Sequence, residues 1–474
     1  MRADHLDQKN PFDPNVERVP LTLVLDARSI GALEGKLRKR AHFLCELCWT
    51  KAIDGLWSWE GAPIDDHIPR TELRPVEYNS RTVGRLDEPP GCFIGGVRAW
   101  DQFDRWADQQ GYEGRERDWF IYYGSLAHFS DRSGRHYLVT ADQRLLKETE
   151  GDKGWFRRGQ HRIISVGHAL FLVGLAMKAH REVFYESPQP GHTVYTFSHS
   201  MYEWLAMDFV QPRRRLFDLV KAPDEELQDY FHTEREALVE SIFDRVSHIL
   251  RSRDRIALSN ARNQDDGTLN DMRYDLSAMI GNIAGVFDSL AVLAHTVLVV
   301  PLKSNSDSEI TLRRYPFRRG LKEVGAERLA TVAGQIKPLL DFIWGLRNPL
   351  FHRHGLPGQL VHVLGSGKKS QITLSTEQAD LFKKMLRHRK ESTTAWGLDD
   401  PEAKGIDPSV APFPFGHHLA IASISAVDEL LDAFAKDRGV EGSGVLWSAE
   451  QKQMLTRFRW LSGLPDELPA RSQP

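Results

Sequence analysis

The stretch VPLTLVLDA (Val19–Ala27) is a short apolar run that ends in an aspartate, Asp26. Strands buried on both faces of a parallel sheet are typically near-continuous runs of Val, Leu and Ile, not alternating apolar and polar residues. The stretch therefore predicts a buried parallel strand, and with it an α/β fold for the residues that follow.

Strand-like and helix-like segments alternate after this run. The segments are a helix at about 36–52, a second strand in IDGLWSWEG (53–61), helices at 99–111 and 115–134, and strand-to-helix patterns in RHYLVTADQRLLKE (135–148) and QHRIISVGHALFLVGLAMKAHREV (160–183). This alternation favours a parallel sheet. We expect an N-terminal extension at 1–18 and an α/β domain at 19–187, with an irregular Pro- and Gly-rich insertion at about 61–100.

The pattern changes near Pro188, and the second half is predicted to be an all-α helical bundle at 188–440. Its long segments repeat apolar residues every three or four positions, which is typical of amphipathic helices. A small strand pair is expected at about 359–375, around a Gly-Ser-Gly turn. The last part, 441–474, is predicted to be a C-terminal helix and tail.

Composition narrows the class of protein. The 474 residues carry a net charge of −3, so attraction to nucleic acid would need local basic patches. Three cysteines indicate a reducing cytoplasm, and Cys45 and Cys48 are expected to be buried helix residues, since no second pair completes a zinc site. The apolar segment 283–302 contains Asp288 and is predicted to be a buried helix, so no membrane partner is expected.

Three aspartates are predicted to lie at one edge of the sheet. Asp26 ends the first strand, Asp118 opens a helix, and Asp142 follows the strand HYLVT. The carboxyl ends of parallel strands share an edge where ligands bind, and clustered carboxylates commonly hold Mg²⁺ or Mn²⁺. The alternative is that an aspartate after a strand, such as Asp142, is the N-cap of the next helix.

The order LVLDARSI, DWFIYYGSLA and LVTADQRLL resembles the PIN-domain nucleases over about 19–185. The resemblance implies a parallel-sheet nuclease fold and a Mg²⁺ or Mn²⁺ site at Asp26, Asp118 and Asp142, with Thr140 before the last. The family adds a carboxylate after its second strand. Glu72 is the first candidate for that position and Glu60 the second, because the insertion blurs the match.

The stretch GLRNPLFHRHG (Gly345–Gly355) holds Arg347, Asn348 and His352 in the spacing R-N-x-x-x-H. On a straight helix Arg347 and His352 would lie about 140° apart, but Pro349 can kink or restart the helix. Arg can hold a phosphate, Asn can orient, and His can transfer a proton, which suits metal-free RNA cleavage by the 2′-hydroxyl. The alternative is an ordinary helix end.

In that alternative Gly355 is the cap and the basic side chains favour the helix dipole. His354 competes with His352 for the proton-transfer role. Four basic segments in the same half could contact RNA phosphates or simply be solvated. They are PRRRL (212–216), RSRDR (251–255), RRYPFRRG (313–320) and RHRK (387–390).

R-N-x-x-x-H at the end of a long helix looks like the HEPN domains, over about 195–440. This resemblance implies Arg347, Asn348 and His352 as catalytic residues without a cofactor, and a homodimer formed through the helical domain. Together the two resemblances imply an endoribonuclease of the toxin–antitoxin or anti-phage type, acting on RNA such as tRNA, with a neutralising or trigger partner. The alternative is a non-catalytic nucleic-acid-binding or dimerising regulatory protein built on degenerate nuclease domains.

Overall fold

The structure is a computed structural model, and it describes most of the chain in segments. The described residues are 11–12, 21–47, 53–59, 77–78, 81–85, 97–132, 137–150, 155–156, 162–180, 183–185, 194–196, 199–209, 228–302, 309–352, 355–363, 367–399, 407–440 and 447–466. The chain divides into two compact units. The first comprises Met1–Glu182 and Arg459–Leu464, and the second comprises Val183–Phe458 and Pro465–Pro474.

A six-stranded sheet forms the centre of the first unit. Its strands are β1 (Leu21–Asp26), β2 (Ile53–Trp59), β3 (Glu77–Tyr78), β4 (Arg81–Arg85), β5 (Tyr137–Thr140) and β6 (Ile163–Ser165), in the order β3-β4-β2-β1-β5-β6. The apolar run Val19–Ala27 contains the strand β1, which pairs in parallel with β2 on one side and with β5 on the other, and β6 continues the parallel part. The predicted α/β class is confirmed for this unit.

Helices connect the strands of the first unit. They are α1 (Ala27–Gly31), α2 (Gly35–Leu47), α3 (Val97–Gln109), α4 (Gly114–Arg132), α5 (Gln143–Glu150) and α6 (Val166–Ala179). The chain leaves β1 towards β2 and later returns to the opposite side of β1 as β5. Ligand crevices in open α/β sheets form at such a switch point, outside the carboxyl ends of the strands. The switch point lies between the ends of β1 and β5.

The insertion after β2 differs from the prediction of an irregular segment. Within its described part, β3 and β4 form an antiparallel pair that extends the sheet next to β2, and α3 begins at Val97. The strand RTVGR lacks the apolar run that marks a buried parallel strand, and it pairs antiparallel with both β2 and β3. Cys45 is buried in α2, as predicted, whereas Cys48 and Cys92 lie outside the described residues.

The chain returns to the first unit near its C-terminal end. Trp460 lies 5.9 Å from the ring of Phe43, and Lys178 Nζ donates a 2.9 Å hydrogen bond to Ser462 Oγ. Helix α6 approaches this segment so closely that a Cβ built on Gly174 would lie 1.9 Å from the backbone oxygen of Leu461. Residues separated by nearly three hundred positions therefore complete one core.

The second unit is predominantly helical, as predicted. Its described helices are α7 (His199–Phe209), α8 (Gln228–Ala261), α9 (Asp266–Leu298), α10 (Tyr315–Glu323), α11 (Glu327–Gln335), α12 (Lys337–His352), α13 (Thr376–Arg389), α14 (Pro412–Asp437) and α15 (Ala449–Leu461), of which α15 ends in the first unit. Helices α8 and α9 pack along each other, and α9 also contacts α12 and α14. Asp265 and Thr268 form a capping box that begins α9.

Short strands accompany these helices. The predicted strand pair is present as β9 (Gly358–Val363) and β10 (Gly367–Thr373), and two further strands, β11 (Leu398–Asp399) and β12 (Ser409–Val410), extend it to four. A separate pair, β7 (Val183–Tyr185) and β8 (Val194–Thr196), begins the second unit. The second unit therefore starts a few residues before the predicted boundary at 187/188.

Helix α9 is the one described helix that is long and apolar enough to cross a membrane by length and composition. About half of its most apolar window, 56%, is buried within the structure. Its buried residues include Met272, Ile283 and Leu290, which face neighbouring helices. This burial agrees with the prediction of a core helix for 283–302.

A buried polar cluster links α7, α8 and α14. The Arg253 guanidinium donates to Asp254 and, over 3.1 Å, to Nδ1 of His417, and Tyr202 donates to Asp254 over 3.0 Å. Burial, and then the charge of Arg253 and the neighbouring His418, hold the pKa of His417 well below its usual 6.5. The imidazole is therefore neutral and accepts the hydrogen bond from Arg253.

We expect Gly174→Ala to destabilise the first unit strongly, by about 2 kcal/mol or more, because the new methyl group overlaps the Leu461 backbone. Thermal unfolding monitored by circular dichroism would measure the loss. Gly167→Ala in the same helix is the matched control, since its Cβ would meet its nearest atom, Arg40 Nη1, at 3.4 Å. Equal stability of the two variants would contradict the close approach.

We expect the stability of the second unit to fall as pH drops below about 6.5, because the unfolded imidazole of His417 then binds a proton that the folded one excludes. The slope from one such group is at most about 1.4 kcal/mol per pH unit. Urea unfolding at pH 7.5 and 5.5 would measure it. His417→Asn keeps an acceptor for Arg253 and should make the pH dependence shallower, with the remainder coming from His418, whose pKa burial also lowers. The exposed His388→Asn should leave the pH dependence unchanged.

Candidate active site

Asp26 is the most constrained polar residue of the first unit. Its side chain is 0% exposed at the end of β1. Tyr122 and Thr140 donate hydroxyl hydrogen bonds to it over 2.8 and 2.7 Å, and Ser29 donates through both its hydroxyl and its backbone N–H. A buried carboxylate is stable only when such donors replace its water. Asp26 also caps α1, as the alternative interpretation expects.

Asp142 lies at the neighbouring strand end, after β5. One oxygen accepts from the backbone N–H of Leu145 over 2.7 Å, and the other accepts from Trp119 Nε1 over 3.2 Å. Its backbone N–H donates to Thr140 Oγ1 over 3.1 Å, and that hydroxyl in turn donates to Asp26. The structure therefore brings Asp26 and Asp142 to one edge and joins them through Thr140.

Helix α4 reaches this edge through aromatic side chains. Tyr122 contacts Asp26 and Trp119 contacts Asp142, three residues apart on one helical face. Burial, followed by the charges of Asp26 and Asp142, raises the pKa of Tyr123 far above its usual 10. Both carboxylates therefore affect the pKa of the same hydroxyl, so the side chains of Asp26, Tyr123 and Asp142 lie close together.

Asp118, on the same helix, is exposed to solvent. No described group of three or more His, Cys, Asp or Glu residues is arranged to hold a metal ion. Glu72 and Glu60 lie outside the described residues. Carboxylate oxygens suit Mg²⁺ and Mn²⁺, so Asp26 and Asp142 fit such an ion in chemical type but supply only part of a full ligand set. The predicted four-carboxylate site stays a prediction.

Apart from Thr140, the hydroxyl and aromatic residues of this edge were not identified from the sequence. Ser29 follows Asp26 by three positions, a spacing typical of a cap, and its hydroxyl also accepts from the backbone of Ala141 over 2.8 Å. Trp119 and Tyr122 follow Asp118 in DWFIYY at helical spacing. That spacing is a signal that could have shown which face of α4 meets the sheet.

The second candidate site lies on α12, which runs unbroken from Lys337 to His352 with Pro349 inside it. Pro349 therefore does not restart the helix. Arg347 is partly buried and lines a cavity, whereas Asn348 is exposed. The side chain of His352 and the whole of His354 lie outside the described part. Gly355 does not adopt a positive φ, so the expected left-handed glycine cap is absent at that position.

The cavity beside Arg347 has a volume of about 430 Å³. Its described lining residues are Asp288, Ile310, Thr311, Arg313, Arg314, Lys337, Asp341, Trp344 and Arg347. Burial raises the pKa of Asp288 above its usual value, against the opposing charges of Arg347, Arg245 and Arg313. Four of the described lining residues are basic: Arg313, Arg314, Lys337 and Arg347.

The four basic segments have different environments. In RSRDR, Arg253 is buried beside Asp254 and His417, so it cannot contact RNA in this conformation. In RHRK, Arg389 pairs with Glu391. In RRYPFRRG, Arg313 and Arg314 line the cavity. PRRRL lies outside the described residues.

No protein-family model matches the chain, and no curated protein or solved structure matches it.

We expect Tyr122→Phe to lower the free energy of unfolding by about 1.5–3 kcal/mol, because Asp26 loses a buried hydrogen bond to its charged oxygen. Chemical denaturation would measure the change. Tyr112→Phe is the matched control: Tyr112 packs against Phe120 at 5.1 Å, and no described residue bonds its hydroxyl. If the Tyr122→Phe protein is as stable as the control, the hydrogen bond from Tyr122 to Asp26 does not contribute to stability.

Proposed function

We propose that the chain is an endoribonuclease of the toxin or anti-phage type, with one carboxylate site in the first unit and one Arg/Asn/His site in the second. The observation that carries the proposal is the placement of Asp26 and Asp142 side by side at the switch point of a parallel sheet. That edge is where open α/β sheets bind ligands. The PIN and HEPN resemblances supply the reaction class.

In the first site, Asp142 and Asp26 would hold Mg²⁺ or Mn²⁺, with Asp118 and Glu72 completing the set. Such an ion, when bound, activates water and neutralises charge on a phosphodiester. The residues around Asp26 serve orientation, since Ser29, Tyr122 and Thr140 all donate to it. Asp142 is only partly buried and offers the more accessible carboxylate of the pair.

In the second site, Arg347 would hold the scissile phosphate, His352 would transfer a proton to or from the 2′-hydroxyl or the leaving oxygen, and Asn348 would orient them. Because α12 is unbroken, Asn348 and His352 lie four residues apart on one face, while Arg347 is turned about 140° from His352. On a straight helix one copy therefore does not bring all three positions onto one face. A homodimer through the helical unit would place a second motif opposite the first.

A non-catalytic regulatory or binding protein is the second candidate. It is favoured by the closure of Asp26, whose side chain is fully buried and whose two oxygens already accept from three hydroxyls. A carboxylate that is buried and fully hydrogen-bonded in this way stabilises the edge of the sheet and is not available to a ligand. The two candidates make opposite predictions for cleavage.

We expect purified protein to cleave single-stranded RNA, and to do so by two separable routes. In EDTA only the second site can act, so His352→Ala should lower the remaining rate by roughly 10²- to 10⁴-fold, the usual contribution of an acid–base group. With Mn²⁺ and a DNA oligonucleotide of the same sequence only the first site can act, so Asp142→Asn should abolish that cleavage. Gel analysis of end-labelled oligonucleotides would measure both rates.

Matched controls are His388→Ala and Asp108→Asn, which change exposed residues away from either site. Light scattering across protein concentrations would report the proposed dimer. Cleavage that persists in the His352→Ala, Asp142→Asn double variant would refute the site assignments. No cleavage by any protein, together with no Mn²⁺ binding, would establish the regulatory candidate.

A further inference from the structure

The cavity beside Arg347 has an excess of positive charge. Four basic side chains line it against two carboxylates, Asp288 and Asp341. An apolar ligand would leave these charges desolvated and unpaired, and a metal cation would be repelled by them. The cavity therefore suits an anion, and its volume of about 430 Å³ falls within the range of small-ligand sites.

Asp341 positions two of the four basic side chains, Arg313 and Lys337. It accepts from Arg313 Nε over 3.2 Å and also pairs with Lys337 one turn earlier in α12. The Arg313 guanidinium carbon lies 5.4 Å from the centre of the Trp344 ring, so Arg313 is held between a carboxylate and an aromatic face. These contacts fix the positions of two cations before any ligand binds, which lowers the entropy cost of binding.

Arg314 differs from its neighbour. Its side chain is exposed at the cavity, and among the described residues it has no ion-pair partner. It precedes α10, so its position is set by backbone bonds, including one from its N–H to the carbonyl of Thr311 over 3.1 Å. Arg314 is thus a cation placed at the cavity without a carboxylate to neutralise it.

We propose that this cavity binds a nucleotide phosphate, with Arg314 and Lys337 as its cationic contacts and Trp344 as the wall beside the sugar or base. A guanidinium fork matches phosphate oxygens, and lysine adds a point charge. Resting on the proposed function, the phosphate belongs to an RNA strand and lies next to the one that Arg347 would hold for cleavage. A free nucleotide is the other source of the same chemistry.

The test measures binding without cleavage. Fluorescence anisotropy in EDTA would follow a labelled single-stranded 2′-O-methyl RNA. The missing 2′-hydroxyl blocks cleavage at the second site, and EDTA withholds the metal ion from the first. Competition would follow 5′-AMP and inorganic phosphate. Arg314→Ala should weaken RNA binding by roughly 3- to 10-fold and make the plot of log affinity against log salt shallower by about 0.7, the value for one phosphate contact on a single strand. Lys337→Ala should act in the same direction.

Asp341→Asn should act in the opposite direction, because it removes a negative charge while keeping an acceptor for Arg313. We expect it to tighten RNA binding several-fold at low salt. Arg319→Ala is the matched control: Arg319 lies in the same basic segment, is 68% exposed and pairs with Glu323. It should leave both the affinity and the salt dependence unchanged. Circular dichroism would verify that each variant is folded.

The outcomes separate the sources. Weaker RNA binding by Arg314→Ala identifies an RNA phosphate, whereas weaker binding of 5′-AMP alone identifies a free nucleotide. Binding of all three probes that is unchanged in Arg314→Ala and Lys337→Ala overturns the site. Because the RNA cannot be cleaved, binding is measured separately from nuclease activity. If the protein cleaves RNA but Arg314→Ala binds the probe as tightly as wild type, only this inference is refuted. If Arg314→Ala weakens binding but the protein has no nuclease activity, only the proposed function is refuted.

Discussion

The first unit depends on a buried carboxylate. Asp26 has no exposed surface, and an ionised group in that position is tolerated only because hydroxyls from α1, α4 and β5 donate to it. These donors are distant in sequence, so satisfying one side chain fixes the end of the central strand, the first helix after it and the long helix that crosses the edge. The geometry of Asp142 follows, because Thr140 bonds to both residues.

The parallel strands of this unit could be predicted because burial on both faces leaves a continuous apolar run, as in β1. The same logic fails for β4, which carries no such run and pairs antiparallel between β2 and β3. The acidic character of the switch point was predictable from strand ends. The hydroxyl and aromatic partners were not, because Tyr122 and Ser29 become partners of Asp26 only through tertiary packing.

The second site shows a similar division. Arg347 could be identified from a local spacing. The residues that line the cavity with it could not, since Asp288 comes from α9 and Arg313 from the segment before α10. The basic segment 313–320 could have contacted RNA phosphates or been a solvated surface, and its residues differ in this respect. Arg313 and Arg314 line the cavity, whereas Arg319 pairs with Glu323 on the surface. Charge composition alone could not separate these roles.

The return of Arg459–Leu464 to the first unit has a consequence for the order in which the protein matures. A ribosome makes β1 to α6 early, yet Leu461, which is fully buried against that unit, follows only after Val183–Phe458 of the helical unit have been made. Domains generally fold as they emerge. Here the core of the first unit must wait for its last segment, and a chain interrupted before residue 459 would lack the residues that pack against α6.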